Sequence, residues 1–71
     1  MVRTPRIDAR KISSVIERYG YKMIRQRGSH RIYENSDGIR VVLPVHSGAI
    51  IHPKIVTTIS RDTGIPIEEF S

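Results

Sequence analysis

The residues best suited to chemistry lie together in the stretch Arg25–Arg31, which reads Arg-Gln-Arg-Gly-Ser-His-Arg. The imidazole of His30 can accept or donate a proton near neutral pH. Gly28 permits close backbone approach, and the Ser29 hydroxyl can donate to a phosphate oxygen. A guanidinium can hold a phosphate bidentately and stabilise charge that develops on it, and the candidates are Arg25, Arg27 and Arg31, which we do not expect all to touch one phosphate. The stretch is therefore a candidate site for chemistry on a phosphodiester.

RNA suits this set of groups because its 2′-hydroxyl is a nucleophile already placed beside the phosphate. Cleavage then needs proton transfer, orientation and charge stabilisation, and no metal-bound water. We take His30 as the candidate proton-transfer residue, and we expect a 2′,3′-cyclic phosphate and a 5′-hydroxyl as products. Two plainer interpretations stay open: His30 can be an ordinary surface histidine beside a hairpin, and the arginines can attract phosphate without catalysis.

The other titratable residues make weaker candidates. His46 follows Pro44 in an expected loop and could be a second proton-transfer group, although an exposed or structural histidine is the more ordinary interpretation. His52 beside Pro53 has a still weaker case. Nothing in the spacing of the three histidines imposes a zinc site, so we expect no metal and no cofactor. Glu68 and Glu69 are interpreted as solvated charges near the C-terminus.

The composition describes a small and strongly basic protein. Its 71 residues fit one domain, with a formal charge of +5 and a pI near 10.3. Such a charge attracts polyanions, which include RNA, DNA, an anionic membrane or an acidic protein. The chain has no cysteine, no apolar signal core and no apolar run of the roughly 20 residues that a membrane span needs. We therefore expect a soluble, cytoplasmic protein that does not enter a membrane.

Two helices are expected, one near each end of the chain. The first begins at Asp8, which can cap its first turn, and Gly20 follows its end. Its apolar stripe has helical spacing and consists of Ile12, Val15, Ile16 and Tyr19. The second helix has Pro53 in its first turn and ends at Gly64. We expect residues 1–7 to form a basic, flexible lead-in, and we expect the tail to be anchored by the apolar residues Ile65, Ile67 and Phe70.

Three strands are expected between the helices, over residues 21–27, 30–34 and 39–44. Gly28-Ser29 predicts a tight turn or a bulge, and Asn35–Gly38 predicts a second turn. Alternation in the third strand places its apolar residues on one face: Ile39, Val41 and Leu43. In the second strand it separates Arg31 from His30. The sequence thus predicts a single α+β domain over residues 1–71, with the order α-β-β-β-α and both helices on one face of a three-stranded antiparallel sheet.

In this order and spacing, the motifs resemble those of the HicA (YcfA-like) toxins of toxin–antitoxin pairs. The resemblance extends from Asp8 to Phe70 and rests on five short motifs, which are Gly20-Tyr21, Arg25–His30, Asp37-Gly38, Leu43–His46 and Gly64-Ile65 followed by Glu68–Phe70. The chain departs from the family pattern at Pro53-Lys54-Ile55, where the family usually has Gly-Thr-Leu.

The resemblance implies a double-stranded-RNA-binding-like fold and metal-independent mRNA cleavage through one histidine, which matches His30 here. It also implies neutralisation by a HicB antitoxin. Two alternatives remain, a non-catalytic RNA-binding module of the same fold and an interaction protein whose basic face docks an acidic partner. We expect a monomeric free toxin. Charge reversal at Arg27 and Arg31 is expected to weaken the binding of both RNA and antitoxin.

Overall fold

The computed structural model describes residues 7–45 and 50–71. The lead-in predicted over residues 1–7 therefore lies outside the described residues, except for residue 7. The described elements run in the expected order, with the helices α1 (Ala9–Arg18) and α2 (Pro53–Thr63) and a final 3₁₀ helix (Ile67–Phe70). Three strands lie between the two α-helices, namely β1 (Lys22–Arg27), β2 (His30–Glu34) and β3 (Arg40–Pro44). The strands form one antiparallel sheet in the order β1-β2-β3. The predicted α-β-β-β-α domain is thus confirmed.

The ends of both helices are fixed by local hydrogen bonds. The Asp8 carboxylate accepts from the Lys11 N–H at 2.9 Å and caps α1, as its position in the sequence predicts. Gly64 caps the C-terminus of α2 with a φ of 75°, and its N–H donates to the Ser60 carbonyl. Tyr19 is predicted on the apolar stripe of α1, but it caps that helix and is 46% exposed, because the last helical turn ends before it.

A single apolar core lies between the helices and one face of the sheet. The helices contribute the buried residues Ile12, Val15, Ile16, Val56 and Ile59, and the sheet contributes Tyr33, Val41 and Leu43. Tyr21, Ile51, Ile65 and Phe70 complete this core. Both helices therefore pack on the same sheet face, and the opposite face is left uncovered by them. Helices and sheet together bury the apolar surface that stabilises so small a domain.

Besides Tyr19, two further apolar positions differ from the prediction. Ile39 precedes β3 and is 38% exposed, because the side chain of Asn35 accepts from the N–H groups of Asp37 and Ile39 and holds this segment in a turn. In the tail, Ile65 and Phe70 are buried as expected, whereas Ile67 is 43% exposed. Ile67 begins the 3₁₀ helix, and it is the far end of that helix, at Phe70, that enters the core.

Candidate functional site on the uncovered sheet face

A two-residue turn positions His30. Gly28-Ser29 connects β1 to β2, so that Arg27 lies directly across from His30 in the ladder. Gly28 has a φ of 56°, whereas no residue other than glycine has a positive φ in the described chain. A positive φ at the first central residue alone is the pattern of a type II′ turn, which favours glycine at that position. The twist of such a turn matches the right-handed twist of the two strands that it connects. The tight turn, and not a bulge, is therefore what the Gly-Ser pair forms.

A β-bulge lies instead in β1, between Met23 and Arg25. Met23 pairs with Tyr33, but Arg25 pairs with Ile32, so the register shifts by one residue at Ile24. The shift accounts for the irregular alternation of this strand, and it decides which side chains share a face. Beyond the bulge, the arginines of β1 fall on the face of His30.

The uncovered face of the sheet carries His30 beside two arginines. Residues paired across an antiparallel ladder point to the same side, so Arg27 lies beside His30 and Arg25 lies beside Ile32. His30, Arg25 and Arg27 are all exposed to solvent. The arrangement therefore presents one imidazole and two guanidiniums to anything that lies across this face.

Hydrogen bonds around the turn fix the start of β2. The Val45 N–H donates to the Ser29 carbonyl at 2.6 Å, which extends the β2–β3 ladder by one residue beyond His30. The side chain of Gln26 donates to the Gly28 carbonyl at 3.2 Å. Ser29 is half-buried, and Gly28 is exposed. The backbone that supports His30 is thus held from both sides, while its imidazole stays open to solvent.

Arg31 lies on the other face of the sheet, as the alternation predicts. It pairs with Gln26 in β1 and with Leu43 in β3, and Leu43 is fully buried in the core. Arg31 is half-buried, and its Nε atom is buried with no hydrogen-bond partner among residues 7–45 and 50–71. The structure therefore separates Arg31 from the cluster formed by Arg25, Arg27 and His30.

A groove of about 420 Å³ runs between β3 and α2 and reaches His30. Apolar side chains line most of it, and they are Val41, Val42, Pro44, Ile55 and Ile59. Four polar side chains complete its lining, namely His30, Arg40, Thr58 and Asp62. The groove and the uncovered face thus share His30.

Sequence analysis missed the α2 side of this groove. Ile55, Thr58, Ile59 and Asp62 recur at the i, i+3, i+4 and i+7 positions that define one helix face. Asp62 could have drawn attention to this helix face. It is a carboxylate in the last turn of a helix, where the helix dipole disfavours negative charge, so its presence there suggests a role other than helix stability.

The two other histidines have different surroundings. His52 is the N-cap of α2, and its Nδ1 accepts from the Lys54 N–H at 3.0 Å. This cap accommodates the segment Pro53-Lys54-Ile55, where the sequence departs from the family pattern. His46 lies outside the described residues. Among those that are described, no three His, Cys, Asp or Glu side chains are grouped so that they could hold a metal ion.

Charges near the site are partly paired. On the uncovered face, the Arg40 Nε donates to a Glu34 carboxylate oxygen at 2.9 Å. Away from that face, burial raises the pKa of Tyr21, and the negative charge of Asp37 adds to the rise. The hydroxyl of Tyr21, a core residue, is also buried without a hydrogen-bond partner in the part of the chain that the structure describes.

Fold and site together define a class, that of small basic α+β domains with an exposed histidine and arginines on an uncovered sheet face. The family model described as the HicA toxin of bacterial toxin–antitoxin systems matches residues 9–65, which include every described residue of the site. The chain belongs to the HicA toxin family, and it is therefore the toxin of a toxin–antitoxin system with an antitoxin partner. A search of curated proteins found no match. No helix in the described ranges is long and apolar enough to cross a membrane.

Proposed function

We propose that this toxin is a metal-independent endoribonuclease that cleaves mRNA, with His30 as its proton-transfer residue. The observation that carries the proposal is the placement of an exposed His30 directly across the ladder from Arg27, with Arg25 on the same face. Membership of the HicA family supports it, because a toxin needs an activity that harms the cell.

The reaction needs two proton movements. The ribose 2′-oxygen loses its proton as it attacks phosphorus, and the 5′-oxygen gains one as the P–O bond to it breaks. The imidazole of His30 can take the first proton or deliver the second, and solvent water at this open face takes part in the other transfer. Since the nucleophile belongs to the RNA, the residues of the site need only move protons, orient the phosphate and stabilise its charge.

Arg25 and Arg27 are the proposed phosphate-binding residues. Guanidiniums bind phosphate oxygens in charge-assisted, often bidentate hydrogen bonds, and they can stabilise the charge that grows on those oxygens in the transition state. Arg27 is the nearer of the two in the ladder, because it is the direct partner of His30. Ser29 and Gly28 contribute through the turn that sets this register. Arg31 lies on the other face of β2, so we do not expect it to bind the same phosphate.

An antitoxin of the HicB type is the proposed partner, and it would cover the uncovered sheet face. That face combines positive charge with exposed apolar surface, since Val42 is 54% exposed and lies on the same side as His30. A partner with acidic and apolar groups would bury both kinds of surface at once. It would also block RNA, because the same arginines would be occupied.

The decisive experiment is cleavage of a mixed single-stranded RNA by purified protein with EDTA present. Wild type should cut and leave 2′,3′-cyclic phosphate ends, and His30→Ala should bind the RNA but cut about 10²–10⁴-fold more slowly. A 2′-deoxy substitution at the cut position should block cleavage there. A matched control is His52→Asn, which removes an imidazole but keeps a side-chain acceptor for the Lys54 N–H.

Each failure has a distinct meaning. If neither protein cuts while both bind, the chain is a non-catalytic RNA-binding module. If both cut equally, His30 takes no part in proton transfer. Ends that carry a 5′-phosphate would show that water is the nucleophile, and loss of activity with EDTA would show that a metal takes part.

A further inference from the structure

We propose that the groove between β3 and α2 binds a nucleobase next to the cleaved phosphate and favours bases with an exocyclic amino group over uracil. The inference rests on the proposed ribonuclease function, because it places RNA on the uncovered face. To that function it adds a base preference, which the groove would impose on the RNA beside the cleaved phosphate.

Position favours RNA as the occupant. Across the sheet, Arg27 in β1, His30 in β2 and Pro44 in β3 are direct neighbours in the ladder, and the groove begins at Pro44. Adjacent strands lie about 4.8 Å apart, so a phosphate near Arg27 and His30 is about one nucleotide away from the groove. A chain that crosses the strands would therefore bring a neighbouring base over the groove.

The chemistry of the groove suits a base and opposes a phosphate. Its apolar side chains offer a surface for a flat ring, and Pro44 and Ile55 lie on its opposite walls. The carboxylate of Asp62 would repel a phosphate, and Arg40, the cation of the lining, is already paired with Glu34. Arg25 and Arg27 attract a phosphate on the other side of His30. The site thus divides the nucleotide, with the phosphate toward β1 and the base toward α2.

Backbone groups of β3 add hydrogen-bonding capacity. The Val45 N–H donates to the Ser29 carbonyl at one end of the β2–β3 ladder, and the Asn35 N–H donates to the Ile39 carbonyl at the other end. These two bonds show which residue pairs of the ladder are hydrogen-bonded and which are not. In this pattern the pair Ile32–Val42 is not hydrogen-bonded, so the N–H and C=O of Val42 point away from β2. Because β3 is the last strand of the sheet, these groups face outward along the edge that forms the groove.

The polar groups on α2 act as acceptors. Asp62 carries a carboxylate, and the Thr58 hydroxyl already donates to the Lys54 carbonyl at 2.9 Å, which leaves its lone pairs free to accept. Carboxylates in protein–nucleic acid complexes accept from the amino group of cytosine, and adenine and guanine also carry amino groups. Uracil has no amino group, and its single edge donor, N3–H, lies between two carbonyl oxygens that the Asp62 carboxylate would repel, so uracil would fit these acceptors less well.

Sequencing of the ends produced from a random RNA pool tests this selection. For wild type we expect one position beside the cut to be depleted in uracil. Asp62→Asn should reduce that depletion at least about fivefold, the low end of what a base contact contributes. Glu68→Gln is the matched control, because it removes the same charge from an exposed residue outside the groove, and it should leave the preference unchanged.

A second measurement does not depend on cleavage. Titration of the full chain with cytidine, adenosine and uridine 3′-monophosphates should shift the NMR amide signals of Val42, Ile55 and Ile59, and uridine should shift them least. If wild type cuts no RNA but these shifts occur, the groove assignment holds and the ribonuclease proposal fails. Equal base usage beside the cut, or a groove that responds only to an antitoxin and to no nucleotide, would overturn the assignment.

Discussion

The two faces of β2 allow phosphate binding to be separated from fold stability by two arginine substitutions. Arg27 is exposed beside His30, whereas Arg31 is half-buried on the helix side of the sheet with its Nε atom buried. Both substitutions to alanine remove one positive charge, so the net charge falls equally. Any difference between the two variants in RNA binding or in stability must therefore come from the positions of the two arginines in the fold.

The expected magnitudes follow from these surroundings. A hydrogen bond to a charged group contributes about 1.5–3 kcal/mol, and for an exposed contact we take the lower value, which is about tenfold in affinity. Loss of one phosphate contact should also lower the slope of log affinity against log salt by about 0.7. Arg27→Ala should show both effects with little change in stability. Arg31→Ala should leave the salt slope nearly intact and change the free energy of unfolding by about 1 kcal/mol or more.

Both variants are best measured in the His30→Ala background, where the RNA would stay intact. Fluorescence anisotropy between about 50 and 200 mM salt gives the slope, and chemical denaturation gives the stability. The same proteins can be titrated with antitoxin, and charge reversal at Arg27 should weaken both complexes. Equal salt slopes for the two alanine variants would refute the separation of faces. Unchanged binding of RNA and antitoxin in the Arg27 variants would place the shared surface elsewhere.

Two further predictions concern the supports of the site. The raised pKa of Tyr21 means that ionisation of its buried hydroxyl opposes folding, so the free energy of unfolding should fall as the pH rises above about 10. Tyr21→Phe should reduce that fall and raise the free energy of unfolding by about 1 kcal/mol, because it removes a buried hydroxyl without a partner in the described chain. Denaturation across this pH range measures both effects, and a variant with the full alkaline fall would contradict this. Gly28→Ala should lower the free energy of unfolding by about 1–2 kcal/mol, because alanine disfavours the positive φ at this position. No clash adds to this effect, since an added Cβ meets no atom within 4 Å, and Gly28→Asn should lower the stability less. Equal melting temperatures for wild type and both variants would contradict this.

Much of the fold could be predicted because its signals are local. The Asp8 cap and the apolar spacing of Ile12, Val15 and Ile16 define α1, and turn residues separate the strands. The bulge at Ile24 could not be located from the sequence, because a one-residue shift in register depends on pairing with β2. It leaves only an irregular alternation as its trace. The exposure of Ile39 and Ile67 likewise depends on where the chain turns, and their apolar character does not reveal it.

The site was predictable to a smaller extent. Local sequence brings Arg27, the turn and His30 together, because a two-residue hairpin must pair the residues that flank it. Strand alternation by itself also places Arg31 and His30 on opposite faces, because they are consecutive residues of β2. The groove joins His30 to Asp62, which lies more than thirty residues later in the chain. Only the packing of α2 beside β3 creates that proximity.

The size of the domain fits the placement of the proposed site on an open surface. The core between helices and sheet uses the apolar residues of α1, α2 and the inner sheet face, and a chain of 71 residues has few left to enclose a substrate. Without a deep pocket, such a site would hold its substrate by the positive charge of the arginines and by the fixed register that pairs Arg27 with His30. An open site of this kind cannot exclude a protein partner by shape. The same exposure that would admit an RNA strand would therefore also admit an antitoxin at the proposed site, and any substitution that weakens the binding of one partner there should be examined for its effect on the other.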